Sequence, residues 1–180
     1  MAKLIYLAIC SLDGFVEDER GNFDWAAPGE EVHAFVNDLE RKVGIYLYGR
    51  RMYETMVWWE KGEHEGVYRD YADIWRGAEK IVFSRTLQSV SSEKTRLERQ
   101  FDPAAIKRLK ETSASDLSIG GATIAGRAIA AGLVDECHLL LNPILVGGGK
   151  RALPPDVRVR LELREEHRFP DGVVYLRYGL

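Results

Sequence analysis

The sequence predicts an α/β fold: a central mixed, mostly parallel sheet with helices on both faces and an antiparallel edge supplied by the C-terminal end. Three observations carry this expectation. From Leu4 to Ala131, apolar runs of strand length alternate with segments of helical period, the order that a parallel sheet with crossover helices requires. From Glu136 to Leu180 the helical period disappears and strand-like runs follow one another across turns, which adds antiparallel strands. Within the first region, strands stop at glycine or at Ser-Arg before the next segment, at Gly49, Ser84-Arg85 and Gly120-Gly121.

The elements follow in order. Leu4 to Cys10 (LIYLAIC) is nearly continuous in apolar residues, as a strand buried on both faces should be. It ends in a turn at Ser11 to Gly14. Residues 15 to 29 carry Gly, Asn, Asp and Pro and are expected to form a mobile loop. Glu30 to Lys42 places Val32, Phe35, Val36 and Leu39 at helical spacing, with Glu30 and Glu31 favouring its N-terminus. Val43 to Tyr48 reads as a second buried strand, which Gly49 turns into the helix-forming Arg50-Arg51-Met52-Tyr53-Glu54. Between residues 57 and 76 only a short helix from Tyr68 to Trp75 is assigned. Glu79 to Phe83 is a strand. Asp102-Pro103 opens a helix carrying Ile106 and Leu109, by its Asp N-cap and Pro in the first turn. Asp116 to Ile119 is a strand and Ala122 to Ala131 a helix. Glu136 to Leu141, Val157 to Glu166 and Val173 to Tyr178 complete the strands, the last after an Asp171-Gly172 turn.

Bulk properties narrow the function classes. The 180 residues suit one domain, with no repeat and no linker. Twenty-five basic and 28 acidic side chains give a net charge of −3 and are scattered, so no basic stripe invites nucleic acid. The N-terminal apolar stretch is too short for a membrane span. Cys10 and Cys137 stand far apart, without metal-ligand or redox spacing, and are expected to be reduced. A cytoplasmic protein is the expectation, without a membrane or metal partner.

The chemistry is expected where strands end. In an open α/β sheet a ligand lies at the carboxyl ends of the strands, so Gly49-Arg50-Arg51, Ser84-Arg85 and Gly120-Gly121-Ala122-Thr123-Ile124 can meet in one crevice. Arginine matches phosphate with a fixed fork of donors, and a helix N-terminus after glycine leaves backbone N–H groups free for a pyrophosphate. Two basic strand ends and one glycine site suit a phosphorylated dinucleotide. The glycine motif lacks the GxGxxG spacing, and Gly149-Lys150 is followed by Arg151 rather than Ser or Thr, so neither common nucleotide fingerprint is present.

The segments SLDGF (Ser11 to Phe15), GRRMYE (Gly49 to Glu54), VFSRTL (Val82 to Leu87), and IGGATIAG with the GLVDECHLLLNPILVGGGK that follows occur in one order. That order resembles the dihydrofolate reductase-like superfamily, and most of all stand-alone relatives of the C-terminal reductase domain of the bifunctional riboflavin-biosynthesis deaminase/reductase. The likeness spans essentially the whole chain. It implies a three-layer dihydrofolate reductase-like domain over residues 1–180, NADPH as hydride donor, a small heterocyclic substrate of pyrimidine or pterin type, and a homodimer. Residue by residue, it implies that Ala8 and Ser11 to Gly14 border the nicotinamide and that Gly49, Arg50, Arg51 and Met52 meet phosphates. Ser84 and Arg85 would take the 2′-phosphate, and Gly120, Gly121, Ala122, Thr123 and Ile124 the pyrophosphate, with a cis Gly120-Gly121 bond. Met52 stands where many relatives have Thr.

Dihydrofolate reductases hold the heterocycle with a carboxylate on the first helix. Two positions compete for that place here. Counting back from Gly49 selects His33, and counting forward from Pro28 selects Glu30. They lie three apart and share a helix face, which Asn37 extends by one turn. A binding or regulatory module that keeps the cofactor cleft without turnover is the alternative, motivated by the missing unambiguous carboxylate. Trp25, Trp58 and Trp59 are read as core or dimer contacts before substrate-stacking residues, and Asp13 as a turn residue beside Gly14.

Overall fold

The computed structural model describes residues 1–180. In chain order the elements are β1 (Leu4–Ser11), β2 (Phe15–Glu17), α1 (Glu30–Glu40), β3 (Val43–Gly49), α2 (Arg50–Met56), α3 (Gly66–Gly77), β4 (Glu79–Phe83) and β5 (Thr95–Glu98). Then come α4 (Pro103–Thr112), β6 (Asp116–Gly120), α5 (Ala122–Ala130), β7 (Glu136–Asn142), β8 (Lys150–Arg151), β9 (Glu162–Arg168) and β10 (Val174–Gly179). Short 3-10 turns occupy Asp24–Ala26 and Val57–Glu60.

Eight strands form one sheet in the order β5-β4-β3-β6-β1-β7-β10-β9, and β2 pairs with β8 in a separate ribbon. The strands from β5 to β7 run parallel, and β10 joins β7 and β9 antiparallel. This is the α/β sheet with an antiparallel C-terminal edge that the change of pattern at Glu136 predicts.

The strand period of two sorts side chains into two cores. Leu47, Ile81, Ile119 and Leu139 face α4 and α5, with Ile106, Ile124, Ala125 and Ile129 packed on them. Tyr46, Tyr48, Val82, Leu140 and Tyr175 face the other way, onto Val32 and Val36 of α1, Tyr53 and Met56 of α2, and Tyr71 and Trp75 of α3. One core is aliphatic and the other aromatic: Tyr46 and Tyr48 stack at 5.5 Å, and the Trp75 indole donates to the Tyr48 hydroxyl at 3.2 Å. Each fully buried side chain of Leu or Ile size contributes about 1.5–3 kcal/mol, so both layers are needed to hold the sheet.

Several boundaries differ from expectation for identifiable reasons. The 15–29 segment is not structureless: it contains β2 and a 3-10 turn, with the Asp18 carboxylate accepting from the N–H groups of Arg20 and Asn22 at 2.8 Å each. α3 begins two residues before Tyr68 and ends at Gly77, two beyond Trp75. β5 was not expected, because TRLE at a sheet edge is half-polar and only its pairing with β4 identifies it. The strand predicted from Val157 begins at Glu162, where pairing with β10 starts. Every peptide bond is trans, including Gly120-Gly121. The corner is turned instead by Gly121 at φ +98°, a region open to glycine. Asp13 does more than shape its own turn. Its carboxylate accepts from Ser11 Oγ at 2.6 Å, from Gly147 N at 2.7 Å and from Val146 N at 3.1 Å, pinning the loop after β7 to the end of β1.

Candidate functional site

Neighbouring strands β3 and β6 send their helices to opposite faces, α2 to the aromatic side and α5 to the aliphatic side. A crevice opens at such a reversal, outside the carboxyl ends of the strands. A cleft of about 470 Å³ lies there, within the range of small-molecule sites. Its lining brings together Gly49, Arg50, Arg51 and Met52 from the β3–α2 junction, Ser84 and Arg85 after β4, and Gly121, Thr123 and Ile124 from the β6–α5 junction. All three strand-end motifs therefore meet.

Each junction has a local cause. Gly49 caps α2 and Gly121 caps α5, both without a side-chain cap. In α5 the first N–H bonded back to the cap is that of Ala125, onto Gly121 O at 3.0 Å, which leaves the N–H groups of Ala122, Thr123 and Ile124 without helical partners. Gly120 is required by packing: a Cβ there would come 2.7 Å from the Tyr48 ring and 3.2 Å from Met52 Cγ. A Cβ on Gly121 would meet Met52 at 3.3 Å. At β4, Ser84 Oγ accepts from the N–H groups of Thr86 and Leu87 at 3.3 and 3.0 Å. Its hydroxyl proton remains free to donate.

The lining is cationic. Arg50, Arg51, Arg85, Arg99, Arg127 and Lys150 contribute to it, and no carboxylate does. Arg50 is braced by Glu54 at 2.7 Å and Thr86 at 3.0 Å. Arg51 is held by Glu17, and the other four have no carboxylate partner. Such a surface, with a helix N-terminus in its wall, suits a ligand carrying several negative charges.

Arg99, Arg127 and Lys150 escaped the sequence reading. Arg99 follows the unexpected β5, and its Nη1 donates to the carbonyls of Ser84 and Leu87 at 3.2 and 2.6 Å, clipping the loop that bears Arg85. Arg127 lies four residues after Thr123 on α5, a spacing that places both on one helix face and could have revealed it.

Other expected residues lie elsewhere. Ala8, Ser11, Gly14, Gly120 and Ala122 do not line the cleft. Ser11 is buried, and its Oγ accepts from Phe15 N at 2.9 Å. None of the α1 residues lines it either. Glu30 stands exposed in the first turn of α1. His33 is 5% exposed and edge-on to Trp59, Tyr68 and Tyr71, within the packing of α1 on α3. Asn37 is fully buried and donates to Val67 O and Asp70 Oδ2 at 2.8 Å each. With both amide hydrogens used there, the Asn37 oxygen faces His33 Nδ1 at 3.0 Å, so that nitrogen carries the proton. Burial lowers the His33 pKa, with the Asn37 bond opposing it. Trp58 and Trp59 meet edge-on at 4.7 Å, and Trp59 continues into Tyr71 at the same distance, which places Trp59 in the aromatic layer.

Comparison with known proteins agrees with this architecture. The family model of the RibD C-terminal domain matches residues 2–175. The chain belongs to that family. The uncharacterized protein YyaP of Bacillus subtilis (strain 168) is 28% identical over 182 residues, covering 98% of this chain and 94% of the relative. A "Putative riboflavin biosynthesis protein" from Shewanella sp. PV-4 superposes with a TM-score of 0.77 at 22% identity, covering 99% of this chain and 98% of that one. RibD of Acinetobacter baumannii superposes at 0.72 with 16% identity, covering 99% of this chain and 58% of that one. The RibD-type domain is thus a dihydrofolate reductase-like three-layer fold, and this chain has the fold of a reductase superfamily. None of its helices is long and apolar enough to cross a membrane.

Proposed function

We propose that this RibD-type domain, residues 1–180 acting as one unit, is an NADPH-dependent reductase that transfers a hydride to a small nitrogen heterocycle of pyrimidine or pterin type. The observation that carries this reading is the cleft at the β3–β6 reversal, where six cations surround a glycine-capped helix start and no carboxylate intrudes. The donor set fits the cofactor. Gly121 to Ile124 would hold the pyrophosphate on unpaired N–H groups, Arg50 and Arg51 would meet phosphate oxygens, and Ser84 and Arg85 would take the 2′-phosphate. Gly49 and Met52 shape the same wall, and Gly120 and Ala122 set the backbone on which it stands. When bound, NADPH supplies the hydride. Ala8, Ser11 and Gly14 at the end of β1 would border the nicotinamide.

Reduction of a C=N bond also needs a proton on nitrogen. Either Glu30, at the exposed start of α1, or His33 one turn further on would supply it, with Asn37 fixing the His33 tautomer. Family membership supports a homodimer, and Cys10 and Cys137, buried and unpaired, suit the reducing cytoplasm.

A second reading is favoured by one observation: α3 covers His33 and Asn37, which leaves Glu30 as the one exposed candidate on that face of α1. On that reading the chain is an NADPH-binding regulatory or interaction module without turnover. Titrating NADPH while following tryptophan fluorescence, then measuring its oxidation with a panel of pterins and pyrimidines, separates the cases. Saturable binding with oxidation supports the reductase. Binding without oxidation supports the module, and no saturable binding overturns both.

A further inference from the structure

Arg51 differs from the other cations of the cleft in having both terminal nitrogens on one carboxylate. Its Nη1 and Nη2 lie 3.0 and 3.1 Å from the two oxygens of Glu17 on β2, a bidentate pair. The Glu17 side chain is only 16% exposed, against 66% for Arg51. A carboxylate so far withdrawn from water loses considerable free energy if left without a cation.

A second cation stands ready. Glu17 is the cross-strand partner of Lys150 in the β2–β8 ribbon, just past a register shift, and both line one depression. Lys150 has no carboxylate within ion-pair distance. Like Arg51, it lines both the cationic cleft and the depression beside it, where Glu17, Asp18 and Glu19 face Arg20, Arg51 and Lys150. The ribbon's backbone is fixed around this trio: the Glu17 carbonyl occupies the space that a side chain on Gly149 would need, and Asp18 closes the following turn.

We infer that Glu17 is a two-position switch, paired with Arg51 in this structure and with Lys150 once a phosphate-bearing ligand draws Arg51 across. The inference rests on the reading of the cleft as a phosphate site. Glu17 thereby limits anion affinity, because the ligand must compete for Arg51, while Lys150 lowers that cost by taking the vacated carboxylate. The switch also tells the segment after β1 whether the cleft is filled.

The test is a double-mutant cycle read by NADPH titration of the full chain, with inorganic pyrophosphate as competing ligand. Glu17→Gln should tighten binding on the order of threefold, and Lys150→Met should weaken it by a similar factor. In the Glu17→Gln background the Lys150→Met penalty should shrink, because no carboxylate then needs a replacement cation. Glu17→Asp, which keeps the charge but draws it back from Arg51, should also tighten binding and covers the case of a poorly folded Gln variant. Unchanged or weaker binding in both Glu17 variants overturns the switch, as does an equal Lys150 penalty in both backgrounds. If the unmodified chain binds neither ligand, the phosphate reading itself fails.

Discussion

The Cα of Gly120 faces the ring of Tyr48 so closely that an added methyl would lie 2.7 Å from Cε1 and 2.9 Å from Cδ1. Tyr48 cannot retreat, because its hydroxyl accepts from Trp75 and its ring is stacked on Tyr46. Gly120→Ala should therefore cost about 1–3 kcal/mol of stability through overpacking and should weaken NADPH binding by shifting the start of α5. Urea unfolding and NADPH titration of the same variant check both; full stability would mean that the aromatic layer yields.

Arg85 is the cleft arginine expected to separate the two nicotinamide cofactors. Arg85→Ala should lower NADPH affinity about tenfold, the scale of one charge-assisted contact, and leave NADH affinity as it was. Dissociation constants for both cofactors decide it. An unchanged ratio would remove Arg85 from the 2′-phosphate.

Glu40 makes folding sensitive to pH. It is 4% exposed beside Tyr46, and burial pushes its carboxyl up to about 7 from 4.5. The folded protein then holds a proton that the unfolded chain releases between pH 4.5 and 7. Stability is fully present below 4.5 and falls as pH rises through that window, by on the order of 3 kcal/mol. Glu40→Gln should flatten that fall. Denaturation midpoints at pH 5 and 8, compared between the two proteins, would show no difference if Glu40 is ionised in the fold.

Asp13 works in the opposite sense. Its bonds from Ser11 Oγ and from the Gly147 and Val146 amides hold its carboxyl down at about 2. Its support for the loop after β7 is present above the unfolded value near 3.8 and is lost as pH falls toward 2. Asp13→Ala should raise amide hydrogen exchange at Val146 and Gly147 at neutral pH. Protection equal to that of the unaltered chain would assign the loop's order to other contacts.

The sequence was most legible where one signal sufficed. Continuous apolar runs marked β1 and β3, and Asp102 with Pro103 marked α4, where the Asp102 side chain accepts from Ala104 N. The meeting of Gly49-Arg50-Arg51, Ser84-Arg85 and Gly121 in one cationic cleft was legible because residues at the carboxyl ends of neighbouring parallel strands are brought together by the sheet itself. β5 was not legible, since TRLE depends on β4 for its strand identity. Arg99 was lost with it. The α1 face was harder still: the spacing of Glu30, His33 and Asn37 is compatible with a cleft, yet α3 arrives from a distant part of the sequence and covers His33 and Asn37. Helical spacing shows which residues share a face and not what that face meets.

β1 lies in the middle of the sheet, between β6 and β7, with Leu4 opposite Leu117 and Ser11 opposite Asn142. Once made, β1 therefore has no partner on either edge until Asp116–Gly120 and Glu136–Asn142 have followed it. Until then Leu4–Ser11 is an apolar ribbon open to mispairing. The arrival of β7 times the moment at which β1 is covered on both edges.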